Sequence, residues 1–124
     1  IYYIGPRKEL LKLEKIILEK TEGKVNVAFT HPECLEIFDM NVNKAIAVKK
    51  LCDIEGFTLD DVIAFGDGFN DYEMLKEAKK GCIMKNAHYT LKEALPDLEI
   101  VTSNSRNGVA KKLMEVYGIE IDEE

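Results

Sequence analysis

The second half of this sequence alternates short apolar segments with segments of helical periodicity, and this alternation limits the possible folds more than any other feature. Residues 62–65 form a continuous apolar run, which is typical of a strand buried on both faces. Further short apolar segments follow at residues 82–84 and 98–101, and helical patterns cover residues 43–55, 71–79, 88–95 and 108–117. Strands that alternate with helices of about ten residues predict βαβ units, and therefore an α/β fold with a parallel sheet.

The first forty residues follow a different order. Residues 1–4 are predicted to form a strand, residues 7–20 an amphipathic helix, and residues 24–30 and 34–38 two further strands. Val25, Val27 and Phe29 alternate with polar or small residues, as apolar residues do in a half-buried strand. We therefore predict a β-α-β-β layer of α+β type over residues 1–40 and a parallel-sheet core over residues 41–124.

Charge and hydropathy argue against two classes of partner. The 124 residues carry a net charge of −6, and such a surface repels nucleic acid. Three pairs of lysines have acidic neighbours and are interpreted as solvated helix faces: Lys49-Lys50, Lys79-Lys80 and Lys111-Lys112. The sequence shows neither an apolar run long enough to span a membrane nor the pattern of a signal peptide, so we expect no membrane partner.

The cysteines indicate the compartment. Cys34, Cys52 and Cys82 are widely spaced and form no CxxC pair, which argues against a disulfide framework and against structural zinc. Each of them lies among apolar residues, where a free thiol behaves as a small core residue. This usage favours a reducing, cytoplasmic setting.

The segment that follows the first apolar run carries the strongest chemical signal. Asp67 and Asp71 stand four residues apart in a loop, where two carboxylates repel each other unless a cation lies between them. Such oxygen ligands suit Mg²⁺, which takes one or two carboxylates together with water and a substrate phosphate. Gly66 and Gly68 are expected to adopt backbone angles that other residues avoid and to let a ligand approach closely. Asn70 can donate to a phosphate oxygen, and Asp71 can also cap the following helix.

Two simpler interpretations compete with a functional loop. Asp-Gly and Asn-Asp are common turn residues, and an isolated pair of this kind would carry no chemical meaning. A calcium-binding EF-hand loop requires oxygen ligands at alternating positions and a late Glu, whereas this loop continues with Tyr72-Glu73-Met74-Leu75. The coincidence of six specific residues between an apolar strand and a helix favours a functional loop over a simple turn.

Four segments resemble one family in their order and spacing. Residues 66–71, Gly-Asp-Gly-Phe-Asn-Asp, resemble the fourth motif of the haloacid dehalogenase superfamily, in the form that its Cof-type sugar-phosphatase branch has. Asn43-Lys44 resembles the third motif of that branch, and the match extends from about Phe38 to Tyr117. Two further segments resemble its Met-Gly-Asn-Ala turn and its closing segment: Met84-Lys85-Asn86-Ala87, and Thr102 with Asn107-Gly108-Val109-Ala110. The resemblance implies the C-terminal half of a Rossmann-like core, preceded by the last part of an α+β cap domain.

The resemblance also implies roles for single residues. Asp67 and Asp71 would hold Mg²⁺, directly or through water, and Lys44 would neutralise charge on the phosphate during phosphoryl transfer. Asn70 and Asn86 would position the phosphate end of the substrate. The implied activity is Mg²⁺-dependent hydrolysis of a phosphate monoester, a sugar phosphate or a similar small phosphorylated metabolite, through an aspartyl-phosphate intermediate.

Several positions depart from the family pattern. The Asp-x-Asp-Gly-Thr motif, which supplies the nucleophile and the general acid/base, is absent, and so is the second-motif Ser or Thr. Asp53 lies within a predicted helix, and Asp60-Asp61 precede a predicted strand instead of following one. Ala45 and Lys85 replace glycines of the pattern. In the Cof-type branch the cap lies between the second and third motifs, so the implied nucleophile lies outside this chain.

Alternatives to a complete enzyme remain open at this point. The chain could be a catalytically incomplete fragment or a non-catalytic binding or structural protein of the same fold, and a receiver-like module is a third interpretation. A sheet without its central strand should expose apolar edges, which the N-terminal half or a homo-oligomer would cover. The substrate is not identified. His31, Glu33 and Tyr89 could line a pocket, but the pattern favours ordinary turn or helix residues at these positions.

Overall fold

The computed structural model describes residues 1–120 and contains two separate three-stranded sheets. The first sheet is antiparallel, in the order β1-β3-β2, and comprises β1 (Tyr2–Ile4), β2 (Val25–His31) and β3 (Cys34–Asp39). Helix α1 (Arg7–Lys20) connects β1 to β2. The predicted β-α-β-β order of the first forty residues is therefore confirmed, whereas their assignment to a cap domain stays a prediction.

The second sheet is parallel, in the order β4-β5-β6. Its strands are β4 (Ile63–Gly66), β5 (Lys80–Met84) and β6 (Glu99–Val101). The helices of this half are α2 (Lys44–Glu55), α3 (Tyr72–Glu77), α4 (Tyr89–Ala94) and α5 (Gly108–Tyr117). The predicted α/β fold with a parallel sheet is confirmed, and the last four residues of the predicted core lie outside the described part of the chain.

The boundaries of α2 follow from its capping residues. The side chain of Asn43 accepts a hydrogen bond from the backbone N–H of Ile46 at 2.8 Å, which satisfies one of the free donors of the first turn. Gly56 ends the helix with a left-handed backbone (φ 78°), a conformation that glycine adopts without steric cost. This end is the one that the sequence predicts, and the Asn43 cap fixes where Lys44 begins the helix.

The segment between α3 and β5 differs from the prediction. Helix α3 ends at Glu77 and β5 already begins at Lys80, although the sequence pattern predicts a helix to residue 79 and a strand from residue 82. Gly81 lies within β5, and a Cβ on Gly81 would lie 2.2 Å from the carbonyl oxygen of Leu75. A glycine is therefore needed at this position, because the backbone of α3 packs directly on β5.

The main core lies between the parallel sheet and helices α3 and α4. It consists of small and medium apolar side chains, namely Ala64, Leu75, Ala78, Ile83, Ala87, Leu91 and Leu95. On the other face of the sheet a smaller cluster contains Cys82, Met84 and Val101, and α5 approaches there at Gly108. The prediction of buried thiols holds for Cys52 and Cys82, while Cys34 is half-buried.

Two lysines that were predicted to be solvated are ion-paired. Lys112 is only 5 % exposed, and its Nζ lies 2.8 Å from Glu99 Oε1 and 2.7 Å from Glu115 Oε1. Lys80 lies in β5, with its Nζ 3.2 Å from Glu99 Oε2. The hydrogen bonds that Lys112 donates to Glu115 and Glu99 raise the pKa of Lys112. Those that Glu99 accepts from Lys112 and Lys80 lower the pKa of Glu99. The prediction of solvated helix faces is wrong at these two positions.

Over residues 1–120, none of the helices has the length and apolar character needed to cross a membrane.

Candidate active site

The three loops that follow the parallel strands meet at one edge of the sheet, as parallel order requires. The backbone N–H of His88, after β5, donates to the carbonyl oxygen of Asp67, after β4, at 3.2 Å. The backbone N–H of Lys85 donates to the carbonyl oxygen of Val101 at 2.9 Å. These bonds connect the loops after β4, β5 and β6, so the side chains that they carry have fixed relative positions.

Lys44 and Asp71 form an ion pair across this edge. The Lys44 ammonium, on the first turn of α2, contacts Asp71 Oδ1. Asp71 is 4 % exposed, whereas the Lys44 side chain is 49 % exposed. The pair anchors α2 to the loop after β4 and leaves half of the lysine side chain accessible to a ligand.

The other carboxylate oxygen of Asp71 holds the loop itself. Asp71 Oδ2 accepts hydrogen bonds from the backbone N–H groups of Asp67 at 3.0 Å and Gly68 at 3.2 Å. The predicted cap on α3 is wrong, because the Asp71 side chain makes no capping bond to that helix. The side chain instead folds back onto its own 3-10 turn, Phe69–Asp71, and holds the loop backbone in place.

Gly66 and Gly68 provide space instead of unusual backbone angles. Neither has a positive φ, which contradicts the conformational reason that the sequence suggested. A Cβ on Gly66 would lie 2.5 Å from the Cβ of Asp71, and a Cβ on Gly68 would lie 2.8 Å from Asn70 Oδ1. The glycines are therefore needed so that the Asp71 and Asn70 side chains can fold back onto the loop.

Asp67 is the accessible member of the two aspartates. It is exposed and borders the cavity, and it forms no ion pair within residues 1–120. The described residues contain no group of three or more His, Cys, Asp or Glu side chains that could enclose a metal ion. Asp67 and Asp71 suit part of a Mg²⁺ site, because Mg²⁺ takes one or two protein carboxylates and keeps water and phosphate oxygens as its other ligands. Their metal-binding role stays a prediction.

The two predicted phosphate-positioning amides have different surroundings. Asn86 Oδ1 accepts a hydrogen bond from the backbone N–H of Asn104 at 2.9 Å, which leaves its Nδ2 donors for a ligand. Asn70 Oδ1 lies beside Gly68, 2.8 Å from the position that a Cβ on this glycine would occupy. Asn70 and Asn86 both border one cavity with Lys44. The structure therefore brings all five predicted site residues to one edge, while their roles remain untested.

An open cavity of about 1250 Å³ extends from this edge to the antiparallel sheet. Of the three residues considered as pocket-lining, His31 borders it, although the sequence favours an ordinary turn residue there, whereas Glu33 and Tyr89 do not. His88, Thr30 and Glu36 also border it, and the sequence reading missed them. The alternation in residues 34–38 could have placed Glu36 on the face opposite Leu35.

The acidic residues considered as substitutes for the missing nucleophile lie away from this edge. Asp53 and Asp60 border a separate crevice of about 270 Å³. Asp60 and Asp61 lie in the 3-10 turn that precedes β4, and therefore at the opposite end of the strand from Asp67. Neither Asp53 nor Asp60 borders the cavity that contains Lys44 and Asp67.

Comparison with known proteins gives the same family. The sequence profile of the haloacid dehalogenase-like hydrolases matches residues 1–113. A Haemophilus influenzae protein named "Putative phosphatase" is 40 % identical over 121 residues, which are 97 % of this chain and 44 % of the relative. The HMP-PP phosphatase of Yersinia pseudotuberculosis is 36 % identical over 111 residues, which are 90 % of this chain and 41 % of the relative.

A solved structure gives the same result at the level of the fold. A sugar phosphatase of haloacid dehalogenase subclass IIB superposes with a TM-score of 0.75 and is 25 % identical, over 88 % of this chain and 40 % of the other chain. This chain therefore spans less than half the length of the proteins that it matches. The chain belongs to the haloacid dehalogenase superfamily, in the Cof-type branch of subclass IIB, and corresponds to a C-terminal portion of its relatives.

Proposed function

We propose that the protein with this chain is a Mg²⁺-dependent phosphate monoester hydrolase that acts on a small phosphorylated metabolite. One observation carries the proposal. Lys44, paired with Asp71, borders the same cavity as the accessible carboxylate of Asp67 and the oriented amide of Asn86. A cation, an accessible carboxylate and amide donors at one strand edge are the groups that bind a phosphate together with a hard metal ion.

In the proposed reaction the nucleophile is an aspartate outside this chain. Its carboxylate oxygen attacks the phosphorus atom, the ester P–O bond breaks, and the alcohol leaves with a proton from a general acid. Water then cleaves the aspartyl-phosphate and releases inorganic phosphate. Mg²⁺ bound through Asp67 would neutralise charge on the phosphate oxygens.

Each residue of this chain has a separate part in the proposal. Lys44 places its ammonium beside the phosphate oxygens, and half of its side chain is free to do so. Asn86 donates through Nδ2, because Asn104 already uses its Oδ1. Asp71 contributes to the reaction indirectly in this proposal, because it holds Lys44 and the loop in position. The proposal includes a reducing, cytoplasmic setting, in which the three free thiols would stay reduced.

The test compares this chain alone with the same chain joined to the N-terminal portion of the Haemophilus influenzae relative. Both are assayed with p-nitrophenyl phosphate and Mg²⁺. We expect turnover only by the joined protein. Lys44→Met and Asp67→Asn should each lower its kcat/KM about 100-fold, because each removes a group that stabilises charge on the phosphate.

Two controls on α2 match these variants in residue type. Lys50 and Asp53 are exposed and do not border the cavity, so Lys50→Met and Asp53→Asn should leave kcat/KM unchanged. Turnover by the isolated chain that Asp67→Asn abolishes would contradict an external nucleophile. A folded joined protein that binds phosphate and does not hydrolyse the ester would favour the alternative of a non-catalytic binding protein.

A further inference from the structure

His88 lies at the candidate active site, but the proposed reaction gives it no role. It directly precedes α4, and its backbone N–H donates to the carbonyl oxygen of Asp67 at 3.2 Å. This bond fixes the backbone of His88 beside the loop after β4. His88 also borders the same cavity as Lys44 and Asn86. Its side chain therefore stands among the residues that are proposed to bind phosphate.

Hydrogen bonds at Nδ1 determine which ring nitrogen of His88 carries the proton. Nδ1 lies 2.8 Å from Oγ1 of Thr90 and accepts the backbone N–H of Thr90 at 3.4 Å. Because a backbone N–H can only donate, Nδ1 is the acceptor, and the proton of the neutral ring is on Nε2. Within residues 1–120 this Nε2 makes no hydrogen bond. His88 therefore offers an N–H donor on a ring whose orientation Thr90 fixes.

The charges at this edge favour donors of this neutral kind. Asp67 and Asp71 are both negative, and the single ammonium of Lys44 already contacts Asp71. A phosphate dianion that binds here needs N–H groups that add no negative charge. Nδ2 of Asn86 is one such group, because Oδ1 of Asn86 is used elsewhere, and Nε2 of His88 is a second one.

A purely structural role accounts for only one of the two ring nitrogens of His88. Nδ1 accepts a backbone N–H at the start of α4, as the side chain of a helix-capping residue does. Ser, Thr, Asp and Asn are the residues preferred for that purpose, and they provide the acceptor without a second nitrogen. Capping therefore explains Nδ1 and leaves Nε2 without a role.

We propose that His88 is a further phosphate ligand, which donates its Nε2–H to a terminal oxygen of the phosphate group. The bound group is a phosphate monoester or inorganic phosphate, and no proton is transferred in this contact. This inference deepens the proposed function and rests on phosphate binding at Lys44. Thr90 acts through His88 as a positioning residue, because its bonds to Nδ1 hold the ring and keep the proton on Nε2.

The test follows the imidazole of His88 by two-dimensional ¹H–¹⁵N NMR while inorganic phosphate is added to this chain with Mg²⁺ present. The chain contains two histidines, so a His31→Asn variant assigns the signals of His88. We expect the neutral ring to carry its proton on Nε2, and its signals to shift with phosphate until they saturate. Sodium chloride at the same ionic strength is the control and should leave them unchanged. A proton on Nδ1, or ring signals that phosphate does not move, overturns the inference.

Two substitutions separate the phosphate ligand from the helix cap. His88→Ser keeps an oxygen that can accept the backbone N–H of Thr90 but lacks the distal donor. It should weaken phosphate binding about tenfold, which is the effect of one hydrogen bond to a charged group. His88→Gln keeps an N–H group near the position of Nε2 and should bind phosphate within about threefold of wild type.

Tyr89→Ser is the matched control for these variants. Tyr89 is exposed and does not border the cavity, although its ring centroid lies 4.6 Å from that of His88. This variant should bind phosphate as wild type does. A His88→Ser variant with the affinity of wild type, a His88→Gln variant that binds no better than His88→Ser, or an equal loss in Tyr89→Ser overturns the inference.

Failure of the proposed function would give a different result. If the joined protein does not hydrolyse p-nitrophenyl phosphate while His88→Ser still weakens phosphate binding, the proposed function is overturned and the inference on His88 is supported. Hydrolysis together with phosphate binding that does not depend on His88 overturns this inference alone.

Discussion

The Asp71 carboxylate should be the largest single contributor to the stability of the active-site loop. Asp71→Ala removes the acceptor of two backbone N–H groups and the partner of Lys44. An unsatisfied buried donor costs about 1–3 kcal/mol, and the low end applies here because the loop is partly hydrated. The ion pair adds at most about 1 kcal/mol, because the Lys44 side chain is 49 % exposed. We therefore expect a loss of about 3 kcal/mol in the free energy of unfolding.

Urea denaturation followed by circular dichroism measures this loss, provided that the m-value stays unchanged. Asp39→Ala is the matched control, because Asp39 is exposed and its carboxylate accepts one backbone N–H, that of Asn41, at 2.8 Å. We expect this control to lose only about 0.5 kcal/mol. Equal losses in the two variants would refute the inference that burial and two hydrogen bonds make Asp71 different.

A double-mutant cycle separates the contribution of the Lys44–Asp71 ion pair to stability from that of the two backbone hydrogen bonds. Lys44→Met alone should cost about 1 kcal/mol or less, since it leaves Asp71 with its two backbone donors. In the Asp71→Ala background the same change should cost almost nothing, because the partner is already gone. A Lys44→Met cost that is the same in both backgrounds would show that the pair contributes no stability.

Three further results are expected. In urea denaturation, Gly108→Ala should lower the free energy of unfolding by about 2 kcal/mol or more, because its Cβ would lie 1.9 Å from the carbonyl oxygen of Thr102. Gly5→Ala is the control and should be nearly neutral, because its Cβ would meet only a side-chain carbon at 4.0 Å. Glu99→Gln should destabilise the protein near neutral pH, and because the pKa of Glu99 is lowered by Lys112, its difference from wild type should shrink as the pH falls from about 6 to about 3. Within the described residues β4 pairs only with β5, and α2 exposes apolar side chains. We therefore expect the isolated chain to self-associate, which sedimentation velocity measures. A monomer at all concentrations would contradict this expectation.

The elements of the fold were predictable because their signals are local. The apolar run before Gly66 and the stop at Gly56 depend on neighbouring residues only, and both are confirmed. The start of β5 was predicted at residue 82 instead of Lys80, because no periodicity reveals the contact between Gly81 and Leu75, six residues away. Lys112 was misread for a related reason, since its partner Glu99 belongs to a neighbouring strand. Sequence patterns thus locate elements, whereas close approaches and ion pairs between elements require the structure.

For the candidate site, too, local signals were predictable from the sequence and contacts between elements were not. The sequence indicates which residues gather at the strand edge, because the loops after parallel strands share that edge. It treats Asp67 and Asp71 as an equivalent pair of metal ligands, because spacing alone does not show which carboxylate is buried. It also suggests backbone freedom as the reason for Gly66, whereas the structure shows that the Asp71 side chain needs the space.

The different environments of the two aspartates bear on what a complete site needs. Asp71 has one oxygen on Lys44 and the other on two backbone donors, so little of its capacity remains for a metal ion. Of these two aspartates, Asp67 then offers the uncommitted carboxylate, while Mg²⁺ requires six oxygen ligands, of which one or two are usually carboxylates. The remaining ligands would come from water, a phosphate and an external carboxylate. The proposed external aspartate would therefore serve both as the nucleophile and as the missing ligand, which gives one reason why metal binding and catalysis would depend on the same absent segment.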